Sequence, residues 1–361
     1  MITLISPKEN STISVMTLLQ KEFVKRERPL KSYPENPNEA NAYPWLSRET
    51  IDSFNQSAPA SVIFKWTVTD FLAPMKFELS VNPDFTPSDL PCSIATIGHI
   101  FADPTEESVF CVKADNLLSG TKYYWKITVG KDSAVGSFST AYGEFRPMRV
   151  GNLINVRDMG GRINADGVRI KQGLVYRGGE LDNIHDKQSS HYGVVQTVIN
   201  DMRIKTDIDL RCESQHDGIT TSPIGEEVNY ALIPFDAYGA TLNDVGRAAL
   251  RQVLEIFADE KNYPIYFHCA VGADRTGTIG MYLDTILGMS SEDILLNYNF
   301  TSLASDLTRS WYHTSDCLGL GQYLEEIMPD KTIAERLMIN LKKSGISDET
   351  LQKIRDIMLE K

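Results

Sequence analysis

A chain of 361 residues is long enough for two domains and a sizeable core. Its hydrophobic content of 42% and charged content of 23% are those of a folded globular protein, and 36 basic against 48 acidic residues give a net charge of −12. That balance excludes a broad surface for nucleic acid or anionic lipid, so any anion site has to be a local pocket.

The N-terminus, Met1-Ile2-Thr3-Leu4-Ile5-Ser6-Pro7-Lys8, lacks a basic segment followed by an apolar run, and no long apolar stretch follows elsewhere. The chain as written therefore carries neither a transmembrane segment nor a signal peptide, and reads as cytoplasmic. An export signal trimmed beforehand would leave the same sequence.

Residues 1–145 read as β-rich. Strands are predicted over Ser61–Val68, Met75–Ser80, Val109–Val112 and Lys122–Val129, with turn signals at Asn82-Pro83-Asp84 and Leu118-Ser119-Gly120-Thr121. Short strands at this spacing suggest an all-β sandwich. Pro29, Pro34, Pro37 and Pro44 mark a long surface loop between about 25 and 48. The aromatic strand after the Leu-Ser-Gly-Thr turn, followed by Val135-Gly136-Ser137-Phe138-Ser139-Thr140, resembles the end of a fibronectin type III or immunoglobulin-like module. Such a module could contact protein or carbohydrate, or shape a neighbouring cleft.

From residue 146 to 361 apolar strands alternate with helical stretches, as in an α/β sheet flanked by helices. Leu174–Arg177, Thr206–Leu210 and Ile265–His268 are the strand candidates; Gly246–Ala258 and Gly277–Leu287 have helical spacing of apolar residues. Beyond Ser290 the chain is predicted mostly helical, with N-caps at Ser291 and Ser347 and a closing helix near 347–359.

The chemistry concentrates in His268-Cys269-Ala270-Val271-Gly272-Ala273-Asp274-Arg275-Thr276-Gly277, after a buried strand and before a helix. Peptide N–H groups from Ala270 to Arg275 curling around Cys269 make a phosphate-sized nest, and the helix behind adds a positive dipole end. The same field stabilises a thiolate at Cys269. Arg275, six residues on, can grip two oxygens of a phosphoryl group with its planar fork. None of Cys92, Cys111, Cys212 and Cys317 has arginine at that offset. The cysteines lack C-x-x-C spacing, so neither a metal nor another cofactor is expected. Cys92 and Cys111 could pair in an oxidising compartment. Cys212 reads as a small buried side chain, or as a partner that protects Cys269 by a reversible disulfide.

The run H-C-x-x-G-x-D-R-T-G resembles the signature of the protein tyrosine phosphatase superfamily. Asn155-Val156-Arg157-Asp158-Met159-Gly160-Gly161, Gly173-Leu174-Val175-Tyr176-Arg177-Gly178-Gly179 and Ile208-Asp209-Leu210-Arg211 are similar to blocks of its bacterial atypical members. The resemblance implies hydrolysis of phosphate monoesters through a phosphocysteine intermediate, with phosphotyrosine in proteins as substrate. Many relatives that hydrolyse phosphoinositides have lysine where this chain has Ala273, which weakens the case for a lipid.

Two aspartates compete as the acid that protonates the leaving group. Asp274 lies in the loop, at the position that resembles the proposed acid of the atypical group. Asp236 lies 33 residues before Cys269 on a loop expected to be mobile, as in conventional members. Thr276 could donate to the Cys269 sulfur or cap the helix, and His268 is expected to order the loop through backbone contacts. Asn155, Arg157, Asp158 and Arg177 either border the pocket or brace the sheet. Alternatives to a phosphotyrosine phosphatase are a phosphatase of inositol or sugar phosphates, a phosphoinositide phosphatase and a phosphate-reading binding module. A sulfur transferase is disfavoured by Asp274-Arg275-Thr276.

Overall fold

The computed structural model describes residues 1–29, 56–69, 73–87, 96–106, 108–187, 192–215, 218–304, 324 and 327–361. Most of the predicted proline-rich loop and the Cys92 half of the suggested cysteine pair lie outside them, as does Cys317.

Nine strands precede residue 145: β1 (Ile2–Ser6), β2 (Ser11–Ile13), β3 (Val62–Val68), β4 (Met75–Ser80), β5 (Thr96–Ile97), β6 (Phe101–Ala102), β7 (Val109–Asp115), β8 (Lys122–Val129) and β9 (Asp132–Thr140), counted among the described residues. One sheet runs β1-β3-β7-β5 with β6 also on β7, and a second runs β2-β9-β8-β4. Alternate residues of β3 (Val62, Phe64, Trp66, Val68) and β8 (Tyr123, Trp125, Ile127, Val129) point into one shared apolar core, as the two-residue period of a strand requires. Phe64 meets Phe77, Trp125 and Phe138 edge-on at its centre.

Helix α1 (Leu18–Glu27) has no counterpart in the sequence reading. It opens with a capping box between Thr17 and Gln20, and Gln20 is buried because its amide donates to the carbonyls of Gln56 and Ala58. Its Phe23 and Val24 pack with Phe145 and with Leu296, Phe300 and Leu303 from the C-terminal half.

The C-terminal half is built on a sheet of β10 (Arg146–Pro147), β11 (Arg157–Asp158), β12 (Val175–Gly178), β13 (Thr206–Asp209), β14 (Asn229–Leu232) and β15 (Ile265–His268), in the order β10-β11-β12-β15-β13-β14. β12, β15, β13 and β14 are parallel; β10 and β11 add antiparallel pairs at one edge. Helix α2 (Tyr192–Met202) packs on one face with Tyr176 and Tyr266. On the other, Val175, Ile265 and Phe267 meet α3 (Asp244–Phe257), α4 (Asp274–Ile286), α5 (Ser291–Asn299), α6 (Ile333–Lys343) and α7 (Asp348–Met358). Covered on both faces, β12, β15 and β13 are buried throughout, while the edge strand β14 is partly exposed, which is the α/β arrangement expected from the alternating pattern. Ser347 caps α7 as expected, whereas α5 is capped by Ser290 and not by Ser291, whose own hydroxyl accepts from Ala334 N. Among the described residues no helix is long and apolar enough to cross a membrane.

Candidate active site

β15 lies at the centre of the parallel strands and ends at His268; α4 starts at Asp274, so residues 269–273 turn between them at the carboxyl edge of the sheet. In open α/β sheets that edge is where ligands bind. Gly272 makes the turn at φ 68°, and a Cβ there would lie 2.4 Å from the Gly178 carbonyl group, so both geometry and space demand glycine. The N-cap of α4, Ala273, offers no side-chain hydrogen bond, which leaves the first-turn N–H groups of the helix to an anion.

Cys269 is 2% exposed at the base of this turn. Burial pushes its thiol up, but the Thr276 hydroxyl and N–H, the Arg275 charge and the Gly272 N–H together outweigh burial and hold it below the ordinary thiol value. The Thr276 hydroxyl is fully buried, lies close enough to influence the sulfur, and has no partner of ordinary hydrogen-bond geometry among the described residues. Ala273 is itself buried, and Val271 is exposed.

Arg275 is half-buried, and its Nη1 donates to Gln215 Oε1 at 2.5 Å. The Gln215 carbonyl accepts from Arg211 Nη1 at 3.2 Å. Arg211 in turn is shared by Asp209, Asp182 and Glu180 at 2.8, 2.6 and 2.9 Å. Glu180 adjoins the loop directly, its N–H donating to the Ala270 carbonyl at 3.0 Å.

The four residues read either as pocket border or as brace are all buried. Asn155 Nδ2 donates to the carbonyls of Gly272 (2.8 Å) and Val271 (3.3 Å), and Arg177 Nη2 donates to the Gly272 carbonyl at 3.0 Å. Arg157 bonds the Asn155 carbonyl and the side chain and main chain of Asn297. Asp158 pairs with Arg146 at 2.7 Å and accepts from the N–H groups of Gly160 and Gly173. Their contacts are with protein groups behind the loop, the bracing arrangement. Burial lowers the Arg177 guanidinium to about 10 and Arg157 in the same direction.

His268 contacts the backbone as expected, Nδ1 lying 3.3 Å from the Cys269 carbonyl. It also makes an ion pair with Asp207 at 3.1 Å, and Asp207 accepts from the Ser222 hydroxyl at 2.7 Å. Cys212 is exposed, 3.3 Å from the Ser214 hydroxyl, because it follows the end of the buried strand instead of belonging to it; the expectation of a buried side chain is corrected.

Of the two acid candidates, Asp274 is the first residue of α4, and its Oδ1 accepts from the Tyr238 hydroxyl at 2.6 Å. Asp236 is exposed, two residues before Tyr238. The loop that carries it is anchored: Tyr238 N donates to Thr278 Oγ1, and Thr241 receives hydrogen bonds from Tyr282 and Asn340.

The profile of the tyrosine phosphatase family matches residues 148–338, more than half of the chain. This chain belongs to the tyrosine phosphatase family. A Cupriavidus necator protein whose name places it among tyrosine-protein phosphatases is 27% identical over 173 residues, 40% of this chain and 59% of that relative; the chain thus spans about three fifths of the relative's length. The core catalytic domain of a PP-IP phosphatase from S. cerevisiae, solved in complex with citrate, aligns over 44% of this chain and 91% of that one at 15% identity, with a TM-score of 0.27, too low to bear on the argument.

Sequence reasoning about this tyrosine phosphatase family member missed Tyr238, Tyr298, Asp207, Glu180, Asp182 and Gln215. Each lies on another segment and connects to the loop directly or through intervening residues, by contacts that residue spacing does not encode. Arg211 had a signal, as the end of the Ile-Asp-Leu-Arg block, but its position beside Gln215 and Arg275 follows only from the placement of β13 next to β15.

Proposed function

We propose that this chain is a cysteine-dependent phosphatase that hydrolyses phosphate monoesters, above all phosphotyrosine in proteins. The observation that carries the reading is the depressed thiol of Cys269 at the uncapped start of α4, with Arg275 six residues on. The Cys269 thiolate attacks phosphorus, the bond to the phenolic oxygen breaks, and that oxygen takes the proton of Asp274. Water then gives its proton back to the Asp274 carboxylate and attacks phosphorus, and the thiolate departs towards the Thr276 hydroxyl. Arg275 and the loop N–H groups hold the equatorial oxygens throughout. Asp236, exposed and two residues from Tyr238, serves substrate positioning in this scheme.

Phosphotyrosine is favoured over polyphosphorylated substrates because Arg211, which shares Gln215 with Arg275, is already engaged by three carboxylates, and Ala273 supplies no charge. The tyrosine-protein phosphatase name of the relative points the same way. Residues 146–361 form the catalytic domain in this reading, and residues 1–145 a fibronectin type III-like sandwich, supported by the two sheets that share one core.

The test is turnover of an aryl phosphate in EDTA. Activity should persist in EDTA, fall with vanadate, and vanish in Cys269→Ser while phosphate-ester binding remains. Undiminished turnover by Cys269→Ser would sink the proposal.

A further inference from the structure

We infer that Tyr238 is the positioning residue of the acid, and that the loop bearing Asp236 serves the leaving-group step by clamping Asp274. This rests on the reading of Asp274 as general acid. Two independent links join Tyr238 to Asp274. The Tyr238 hydroxyl donates to Asp274 Oδ1 at 2.6 Å, and the Tyr238 N–H donates to Thr278 Oγ1 (3.3 Å), which donates to the Asp274 carbonyl at 2.9 Å. Side chain and main chain of one aspartate are thus held by one tyrosine.

The hydroxyl of Tyr298 on α5 adjoins that of Tyr238, and the two rings meet edge to face at 6.2 Å. A phenol has one proton. Since that of Tyr238 is directed at Asp274, Tyr298 donates to Tyr238, giving a one-way chain from Tyr298 to Tyr238 to Asp274. Donation into Oδ1 fixes the carboxyl plane and puts the transferable proton on the other oxygen.

The backbone at Tyr238 is held to this purpose. Its φ of 57° is a left-handed conformation that a bulky residue adopts only under strain, maintained by surrounding bonds. The Thr241 hydroxyl donates to the Tyr238 carbonyl at 2.9 Å, and Tyr282 and Asn340 hold Thr241. Gly277 of the signature stays small because Tyr298 occupies the space: a Cβ there would lie 2.8 Å from the Tyr298 ring.

The experiment compares Tyr238→Phe, Asp274→Asn, the double variant and Tyr298→Phe, each on a phosphotyrosyl peptide and on an aryl phosphate whose phenolate leaves unaided. Tyr238→Phe keeps the ring, so folding is preserved and checked by thermal melting. It should slow the peptide roughly tenfold, the worth of one charge-assisted hydrogen bond, and the activated ester far less. Tyr298→Phe should show the same pattern more weakly, and the double variant should be no slower than Asp274→Asn. Equal slowing of both substrates by Tyr238→Phe, or additive losses in the double variant, would overturn the inference while leaving Asp274 as acid. Absence of leaving-group dependence in Asp274→Asn itself would overturn the acid assignment and the inference with it.

Discussion

The side-chain amide of Asn155 donates to the carbonyl oxygen of Gly272 at 2.8 Å, so the turn that encloses Cys269 is held from behind by a residue far away in sequence. Asn155 has a left-handed φ of 59°, which asparagine tolerates better than most residues, and its carbonyl receives Arg157. Its amide also reaches Thr301 Oγ1 at 3.3 Å, beside Phe300, which stacks on Phe145 and meets Phe23 of α1 edge-on. The loop is thereby tied to packing that involves the N-terminal helix.

Asn155→Ala should therefore harm both stability and catalysis. It leaves buried partners of the amide unpaired, at a cost of about 1–3 kcal/mol, read from denaturant unfolding. Freed from one brace, the loop should also lose at least roughly tenfold in kcat/KM, because sub-ångström displacement of a nucleophile is expensive. Unchanged kinetics in a destabilised protein would show that Arg177 alone holds Gly272.

The thiol offers a second prediction. Burial raises the Cys269 thiol, and Thr276 leads the contacts that lower it further than burial lifts it. Thr276→Val keeps the shape and removes the hydroxyl, so the thiol should titrate at higher pH. Alkylation by iodoacetamide in mildly acidic buffer should slow relative to the parent protein and recover as pH rises. An unshifted alkylation profile would assign the depression to Arg275 and the loop N–H groups alone.

What was legible in the sequence is what lies contiguous in it. Cys269, Arg275 and the strand–turn–helix around them occupy neighbouring positions, and β12, β13 and β15 were read from their local patterns, whereas the edge strand β14 was not. The roles of Asn155, Arg157, Asp158 and Arg177 stayed open because burial among partners depends on the order β11-β12-β15, which no local pattern states. Tyr238 and Tyr298 were invisible for the same reason: 60 residues separate them, yet their hydroxyls adjoin. Helix α1 was missed because Gln20, a polar residue, is buried through bonds to distant carbonyls, blurring the apolar stripe that marks a helix.

His268 gives the fold a pH dependence of known sign. Burial alone lowers its imidazole, but Asp207 at 3.1 Å raises it more, and the net is above the ordinary value near 6.5. A histidine with a raised folded value contributes stability that is complete below its unfolded value and is lost as pH rises through the folded one. The unfolding free energy of the parent protein relative to His268→Asn should therefore shrink across a window that opens near pH 6.5 and extends to higher pH. A difference that is flat or grows across that window would mean that the imidazole is neutral in the folded state.

The proposed preference for singly phosphorylated substrates can be tested at the groups around Arg275. Arg211 carries one positive charge against Asp209, Asp182 and Glu180, so the net field beside the loop opposes a second phosphate. Glu180 is the most accessible of the three, its side chain 37% exposed, and its N–H is bonded to the loop at Ala270. At such partly solvated positions a like charge a few ångströms away costs on the order of 1 kcal/mol, several-fold in kcat/KM. Phosphotyrosyl peptides should accordingly surpass polyphosphorylated inositol lipids and soluble inositol polyphosphates in kcat/KM. Glu180→Gln should narrow the gap several-fold by improving the polyphosphates, with less effect on the peptide, and added salt should diminish the difference between the variant and the parent. If the parent protein turns over the polyphosphates faster than the peptides, the carboxylates around Arg211 do not select the substrate, and the phosphotyrosine reading falls while the cysteine mechanism stands.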